Sequence, residues 1–177
     1  MRWFWIDRFI EFESGRYAKA IKNVTLAEDY LHDHFPGFPM LPRSLVIEGL
    51  AQTGGLLVCE YRHFTEKVVL AKIPRVQFFG DALPGDNLIY TATVGSINEN
   101  GATVSAVSHK DGRLQAELEI VFAHLSDEHS SLFEPVTFLR MMRAFRAFEV
   151  GHAADGSRLQ PPPGLVEALN CENAQGT

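Results

Sequence analysis

The sequence predicts an α+β domain in which an antiparallel sheet surrounds one long helix. Residues 43–61 form a stretch that is almost entirely apolar, which is typical of a helix buried on all sides. From Val68 onward, apolar and polar residues alternate in segments separated by glycine-containing turns, which is typical of antiparallel strands. The chain has 177 residues, enough for one domain with a sizeable core and an appendage.

Two short strands are predicted before the helix. Residues 7–13 and 17–25 are joined by a turn with Gly15 at its centre, where glycine supplies backbone angles that other residues avoid. Residues 26–31 are predicted to form a single helical turn that leads into the central helix.

The central helix is predicted to begin near Arg43, directly after Pro42, and to end near Tyr61. Gly54 and Gly55 lie inside it, and each glycine costs a helix roughly 1 kcal/mol relative to alanine. Close approach of another backbone is the usual reason for such glycines, so we expect the sheet to pack tightly against the helix here.

The strands that follow the helix have clear boundaries in the sequence. Pro74 interrupts the apolar run 68–79, so a bend or bulge is expected there. Residues 87–96 and 114–123 alternate between apolar and polar side chains. The residues expected on the apolar faces are Leu88, Tyr90, Ala92 and Val94 in one segment, and Leu114, Ala116, Leu118, Ile120 and Phe122 in the other. Glycine-containing turns that close hairpins are predicted at 98–101 and 110–113.

The composition argues against several classes of function. A formal net charge of −6 disfavours nucleic acid as a bulk partner, because phosphate-binding domains are usually basic. The two cysteines, Cys59 and Cys171, form no disulfide framework and favour a reducing, cytoplasmic location. The apolar run at the N-terminus stops at Asp7, which is too short for a signal peptide, and no segment is long enough for a membrane span.

Residues whose side chains could act in acid–base chemistry are concentrated between His34 and Gln52. His34 precedes a Phe-Pro-Gly turn, and Glu48 is the one carboxylate in the first half of the apolar helix. A buried carboxyl group is either paired or has a raised pKa that suits a general acid, and a histidine titrates close to neutral pH and suits a general base. The residues alone leave a second interpretation open, in which Gln52 or a backbone group satisfies Glu48 and His34 merely caps a turn.

A metal site is not predicted. His32 and His34 alternate on an extended stretch, but no nearby cysteine, histidine or carboxylate completes a ligand set. The sequence has no phosphate-binding loop and no dinucleotide fingerprint, so no cofactor is predicted.

The run HFPGFPMLP followed by IEGLAQ resembles the bacterial 3-hydroxyacyl-[acyl carrier protein] dehydratases of the FabZ and FabA type, which have the hotdog fold. The residues that match at the family's spacing are His34, Phe35, Pro36, Gly37, Pro39, Pro42, Glu48 and Gln52. The resemblance extends over most of residues 7–125 and implies a dehydratase-like domain over residues 1–125.

The resemblance implies reversible dehydration of 3-hydroxyacyl thioesters, with His34 as the base and Glu48 as the acid. The substrate would be carried by acyl carrier protein or coenzyme A. In the family these two residues face each other across a dimer interface, so a homodimer or a trimer of dimers is expected. Residues expected to contact the substrate are Gly37, Arg43, Gln52 and Phe78, and backbone N–H groups at the start of the helix would hold the thioester oxygen. Arg43 stands where the family usually has glycine.

Two other functions stay open on the sequence. A hotdog enzyme that catalyses another reaction, either thioester hydrolysis or double-bond isomerisation, would use a similar set of catalytic residues. A non-catalytic acyl-binding or assembly module would need neither an acid nor a base, so the presence of both His34 and Glu48 argues against it.

Residues 126–177 form an extension beyond the usual end of the resembled family. A polar linker, SDEHSS, precedes an amphipathic helix predicted over about 134–148, with Pro135 at its first position, and a loosely ordered tail. The apolar stripe of this helix packs on the sheet or on a partner subunit in the simplest interpretation. Docking of an acidic carrier protein on its arginines and binding to a membrane surface are the alternatives. The side chains in question are Phe138, Leu139, Met142, Phe145 and Phe148 for the stripe, and Arg140, Arg143 and Arg146 for the arginines.

Overall fold

The computed structural model describes residues 4–125 and 135–175, without the side chains of residues 172–175. The elements in chain order are β1 (Arg8–Glu13), β2 (Tyr17–Asn23), α1 (Tyr30–Asp33), α2 (Arg43–Tyr61), β3 (Lys67–Phe78), β4 (Asn87–Asn98), β5 (Gly101–Lys110), β6 (Arg113–Leu125), α3 (Pro135–Ala144), α4 (Ala147–Val150), β7 (Gly151–His152) and α5 (Pro163–Gln175). No helix in these described ranges is long and apolar enough to cross a lipid bilayer.

One sheet of seven strands, in the order β3-β6-β5-β4-β2-β1-β7, packs round α2. Neighbouring strands are antiparallel except for β1 and β7, which are parallel. The predicted α+β architecture, with an antiparallel sheet around one long helix, is confirmed. The predicted hairpin turns lie between β4 and β5 and between β5 and β6.

The central helix has the predicted bounds, and its glycines are where the sheet comes closest. A Cβ atom added at Gly49 would lie 2.4 Å from the Tyr90 ring, and one added at Gly54 would lie 3.1 Å from a Val104 methyl group. At Gly55 the nearest atom would be 3.4 Å away in the Phe122 ring, which is an ordinary van der Waals distance. Tight packing therefore explains Gly49 and Gly54, but it does not explain Gly55.

The strand β3 forms one edge of the sheet. Its pairing with β6 shifts register between Leu70 and Arg75, as predicted from Pro74, which has no N–H to donate to the ladder. Along β6 the predicted apolar face is buried except at Leu114, which is 37% exposed at the start of the strand. Leu70 and Val76 of this edge strand are exposed apolar side chains.

The amphipathic helix of the extension is shorter than predicted. α3 begins at Pro135, but the chain leaves the helix after Ala144 and passes through Arg146 at a positive φ of 61° before α4. The reason is a competing hydrogen bond: the Phe145 carbonyl oxygen accepts from the Phe9 N–H at 2.8 Å and so joins β1. The predicted single helix to residue 148 is therefore wrong at its C-terminal end. The predicted linker SDEHSS lies outside the described residues.

The tail is not loosely ordered, contrary to the prediction from its prolines. β7 pairs with β1, and Leu159 is buried in the main core. α5 packs against α3, where Val136, Leu139 and Leu169 form a small buried cluster. These tertiary contacts outweigh a composition that by itself favours disorder. The division of the chain at residue 125 stays a prediction.

Candidate active site

The two candidate catalytic residues come from different elements. His34 directly follows α1, in the loop that leads to α2, and Glu48 lies in the second turn of α2. Within one chain no hydrogen bond or ion pair joins their side chains, as far as residues 4–125 and 135–175 are concerned. Each side chain instead has its own local partner.

The loop after α1 orients the His34 ring. His34 Nδ1 lies 3.2 Å from the Met40 carbonyl oxygen, and the Met40 N–H donates back to the His34 carbonyl oxygen at 2.9 Å. A carbonyl oxygen can only accept, so this hydrogen bond requires the proton on Nδ1. In neutral His34 that leaves Nε2 unprotonated, which is the state needed in a general base.

Gly37 forms the tip of this loop. Phe35 and Phe38 exchange two backbone hydrogen bonds, of 3.1 and 2.9 Å, around it. Gly37 has a φ of +81°, an angle that side-chain-bearing residues rarely adopt. The structure therefore gives Gly37 a local role, which is to close the turn that presents His34.

Glu48 is held by a chain of two hydrogen bonds. The Trp5 backbone N–H donates to Gln52 Oε1 at 2.9 Å, and Gln52 Nε2 donates to Glu48 Oε1 at 3.2 Å. Since the Trp5 N–H can only donate, it fixes which end of the Gln52 amide faces Glu48. The contact expected in the simpler interpretation of Glu48 is therefore present. It involves Oε1, and among the described residues no hydrogen bond to Oε2 occurs.

Glu48 lines an apolar cleft of about 210 Å³ beside α2. Gln52 lies next to it, and further along the cleft the lining includes Cys59 and Phe122. Burial raises the pKa of the Cys59 thiol to about 12, so this thiol is neutral and is no nucleophile. Glu48 therefore lies where a polar reacting group and an apolar chain can be bound side by side.

Arg43 and Phe78 come together at the start of α2. The Arg43 guanidinium carbon lies 5.1 Å from the Phe78 ring centroid, and Arg43 Nη2 forms an ion pair with Asp81 Oδ1 at 3.1 Å. The Arg43 side chain is 54% exposed, so the ion pair contributes at most about 1 kcal/mol. Among the described residues no side chain caps the start of α2. The Leu45 and Val46 N–H groups donate to the Pro42 carbonyl oxygen, so the N–H groups of Arg43 and Ser44 are the ones that have no backbone acceptor there.

Several residues of the site were not predicted from the sequence. Trp5 and Met40 act through backbone atoms, which leave no signal in side-chain chemistry. Phe138 and Met141 of α3 line the cleft beside Glu48, although the extension carries no motif that points to the site. Groups of three or more side chains suited to a metal ion do not occur within the described ranges.

The fold places the chain among hotdog proteins. Solved structures with similar folds include the dehydratase heterocomplex ApeI:P from Xenorhabdus doucetiae, with a TM-score of 0.60 and 14% identity over 71% of this chain and 86% of that one. Another is smu.793 from Streptococcus mutans bound to acetyl CoA, with a TM-score of 0.58 and 14% identity over 71% of this chain and 94% of that one. At these identities the likeness concerns the fold alone.

Sequence comparison identifies the family. Residues 3–124 match the FabA-like domain. The 3-hydroxyacyl-[acyl-carrier-protein] dehydratase FabZ of Thermomicrobium roseum is 40% identical over 124 residues, which are 70% of this chain and 83% of that protein. FabZ of Listeria welshimeri is 37% identical over 123 residues, 69% of this chain and 85% of that protein. The chain belongs to this FabA-like family of dehydratases, as its motif predicted, and the match ends before the extension begins.

Proposed function

We propose that this protein catalyses the reversible dehydration of 3-hydroxyacyl thioesters on acyl carrier protein to trans-2-enoyl thioesters, in fatty acid synthesis in the cytoplasm. The observation that carries the proposal is the position of Glu48 in a member of this family. One of its oxygens is held by Gln52, and an apolar cleft adjoins it. A dehydratase needs this combination of a fixed acid and a space for an alkyl chain.

The reaction needs a base, an acid and a donor for the thioester oxygen. His34 Nε2 removes the proton from C2, and negative charge develops on the thioester oxygen. Glu48 gives its proton to the C3 hydroxyl group, the C3–O bond breaks, and water leaves as the C2–C3 double bond forms. The uncapped N–H groups at the start of α2 stabilise the charged oxygen, because the helix dipole is positive there. In the reverse direction the two side chains exchange these roles.

The complete site is proposed to form between two copies of the chain. Within one chain His34 and Glu48 have separate partners, and the sheet ends at β3 with apolar side chains exposed near it and on the His34 loop. These exposed side chains are Phe35, Phe38, Leu70 and Val76. A homodimer, alone or as a trimer of dimers, covers such surfaces and brings His34 of one subunit to Glu48 of the other.

Arg43 is proposed to line the entrance, with Phe78 and Gly37. Its guanidinium group lies at the N-terminus of α2, where it can bind the phosphate of a pantetheine arm. Asp81 already holds it in place, so binding of a phosphate requires no large movement of the side chain. A lysine at this position would keep the charge but lose the planar contact with the Phe78 ring.

The direct test is hydration of a crotonyl thioester, followed as the loss of enoyl absorbance. Glu48→Gln and His34→Ala are each expected to lower kcat by roughly 10²–10⁴-fold, the usual contribution of a general acid or base. His32→Ala is the matched control, since His32 is an exposed histidine two positions away, and should leave kcat unchanged. Wild-type protein that hydrates no thioester, either on acyl carrier protein or on coenzyme A, would refute the proposal.

A further inference from the structure

The cleft beside Glu48 follows one face of α2. Glu48, Gln52, Gly55 and Cys59 all line it. These residues are spaced four, three and four positions apart, so they lie in a single row on the helix. At about 1.5 Å per residue, the row is roughly 16 Å long. Its polar groups are at one end, and its remaining lining is apolar or a neutral thiol.

The extension builds part of the opposite wall of the cleft. Phe138 and Met141 of α3 line the cleft, together with Val68 and Leu70 of β3. The family match ends at residue 124, so the part of this wall that Phe138 and Met141 form lies outside the matched domain.

The wall is anchored by the other side of α3. Leu139 and Met142 are fully buried, whereas Phe138 and Met141 are only partly buried. The Phe138 ring also stacks on the buried Phe64 ring, with centroids 6.3 Å apart and planes 18° apart. α3 therefore presents a fixed apolar surface to the cleft.

We propose that this cleft receives the acyl chain of the substrate, and that Phe138 and Met141 limit the chain length that fits. The inference rests on the proposed function, because Glu48 must lie at C3 of the substrate for its acid role. The alkyl chain continues from C3, and the space that adjoins Glu48 is this apolar cleft. An apolar cavity of about 150 Å³ accommodates benzene, so the 210 Å³ here accommodates roughly eight chain carbons.

The experiment compares kcat/KM for crotonyl, trans-2-octenoyl and trans-2-hexadecenoyl thioesters. Phe138→Ala combined with Met141→Ala should raise the hexadecenoyl-to-crotonyl ratio by roughly tenfold, which is the effect of two further buried methylene groups. Phe138→Trp should lower the octenoyl-to-crotonyl ratio. Each ratio is taken to crotonyl turnover in the same variant, so that an effect common to all substrates cancels.

Two variants on the same helix serve as controls. Thr137 is exposed on α3, and Thr137→Ala should change neither stability nor the chain-length ratios. Leu139 is buried between α3 and α5, so Leu139→Ala should lower stability while the ratios stay as in wild type. The second control distinguishes the loss of the Phe138 and Met141 side chains from a general loss of stability in the extension.

Two outcomes would overturn the inference. Unchanged chain-length ratios in a folded Phe138→Ala, Met141→Ala protein would show that α3 does not limit the chain. Unchanged ratios together with a shifted sedimentation coefficient would show that a second copy of the chain covers the cleft instead.

Failure of the proposed function is distinguishable from failure of this inference. If wild-type protein turns over no thioester, the function proposed above is wrong. The inference about the cleft is then tested by measuring the affinity for S-octyl pantetheine, an unreactive thioether, by calorimetry. Phe138→Trp should weaken this affinity by roughly tenfold. Equal binding of the thioether to both proteins, or no binding to either, would overturn the inference.

Discussion

Alanine is expected to have opposite effects at two glycines of the central helix. A Cβ atom at Gly55 would lie 3.4 Å from the Phe122 ring, a distance at which neither group has to move. At Gly49 it would lie 2.4 Å from the Tyr90 ring and 2.8 Å from the Trp5 carbonyl oxygen. The Trp5 backbone cannot move away freely, because its N–H is bound to the Gln52 side chain.

The magnitudes follow from these distances. Alanine is favoured over glycine in a helix by roughly 1 kcal/mol, and this gain applies at both positions. At Gly55 no crowding offsets it, so the free energy of unfolding should rise by up to about 1 kcal/mol, or roughly 2–4 °C in Tm for a chain of this size. At Gly49 overpacking costs typically about 1–3 kcal/mol or more, which leaves a net loss.

The assay is urea and thermal unfolding of both variants and wild type at one protein concentration, because dimerisation would make Tm depend on concentration. Gly54→Ala, with its Cβ 3.1 Å from a Val104 methyl group, should fall between the two. A Gly49→Ala protein as stable as wild type, or a Gly55→Ala protein that loses about 1 kcal/mol or more, would refute the packing argument.

Three further predictions concern the site and two buried groups. Co-expressed His34→Ala and Glu48→Gln chains should regain about one quarter of wild-type turnover. Random pairing makes half of the dimers mixed, and each mixed dimer has one intact site of two. No recovery would mean that each chain supplies both residues of a site. Iodoacetamide at about pH 8 should label exposed Cys171 but not Cys59, whose pKa burial raises to about 12, and peptide mass spectrometry checks this. Burial raises the pKa of Glu60 above its unfolded value, so the stability it contributes is present below that value, near pH 4, and is lost as the pH rises through the folded pKa. Glu60→Gln should therefore unfold at higher urea than wild type at neutral pH, with the difference vanishing near pH 4; an equal gain at both pH values would contradict the assignment to ionisation.

The parts of the fold that were predictable are those fixed by local pattern. The bounds of α2 follow from Pro42 and the apolar run, and the irregularity in β3 follows from Pro74. His34 and Glu48 were identified because a titratable side chain next to a tight turn or inside an apolar helix is conspicuous in the sequence. Their roles, like those of Gly37, Arg43, Gln52 and Phe78, stay predictions until the variants are assayed.

The parts that were not predictable depend on contacts between distant segments. α3 ends where the Phe145 carbonyl bonds to Phe9, and no property of residues near 145 reveals that partner. The tail orders because β7 pairs with β1 and Leu159 fills the core. Composition measures the tendency of a segment in isolation, so it underestimates order that is supplied by the rest of the molecule.

The extension also determines which edge of the sheet can accept another chain. Along β1, the Phe145 carbonyl oxygen accepts from the Phe9 N–H, and just past the end of the strand the His152 carbonyl oxygen accepts from the Ser14 N–H, so these two donors are already used. Within the described residues the two edges differ in length: β3 is a long edge strand, whereas the opposite edge is the two-residue β7, which is flanked by an isolated bridge between His152 and Arg158. A sheet with two free edges can add copies at both ends and grow into a fibre, whereas a sheet with one free edge is complete after a single pairing. The extension that lines the cleft thus also leaves only a short edge at β7, which favours edge-to-edge pairing through β3.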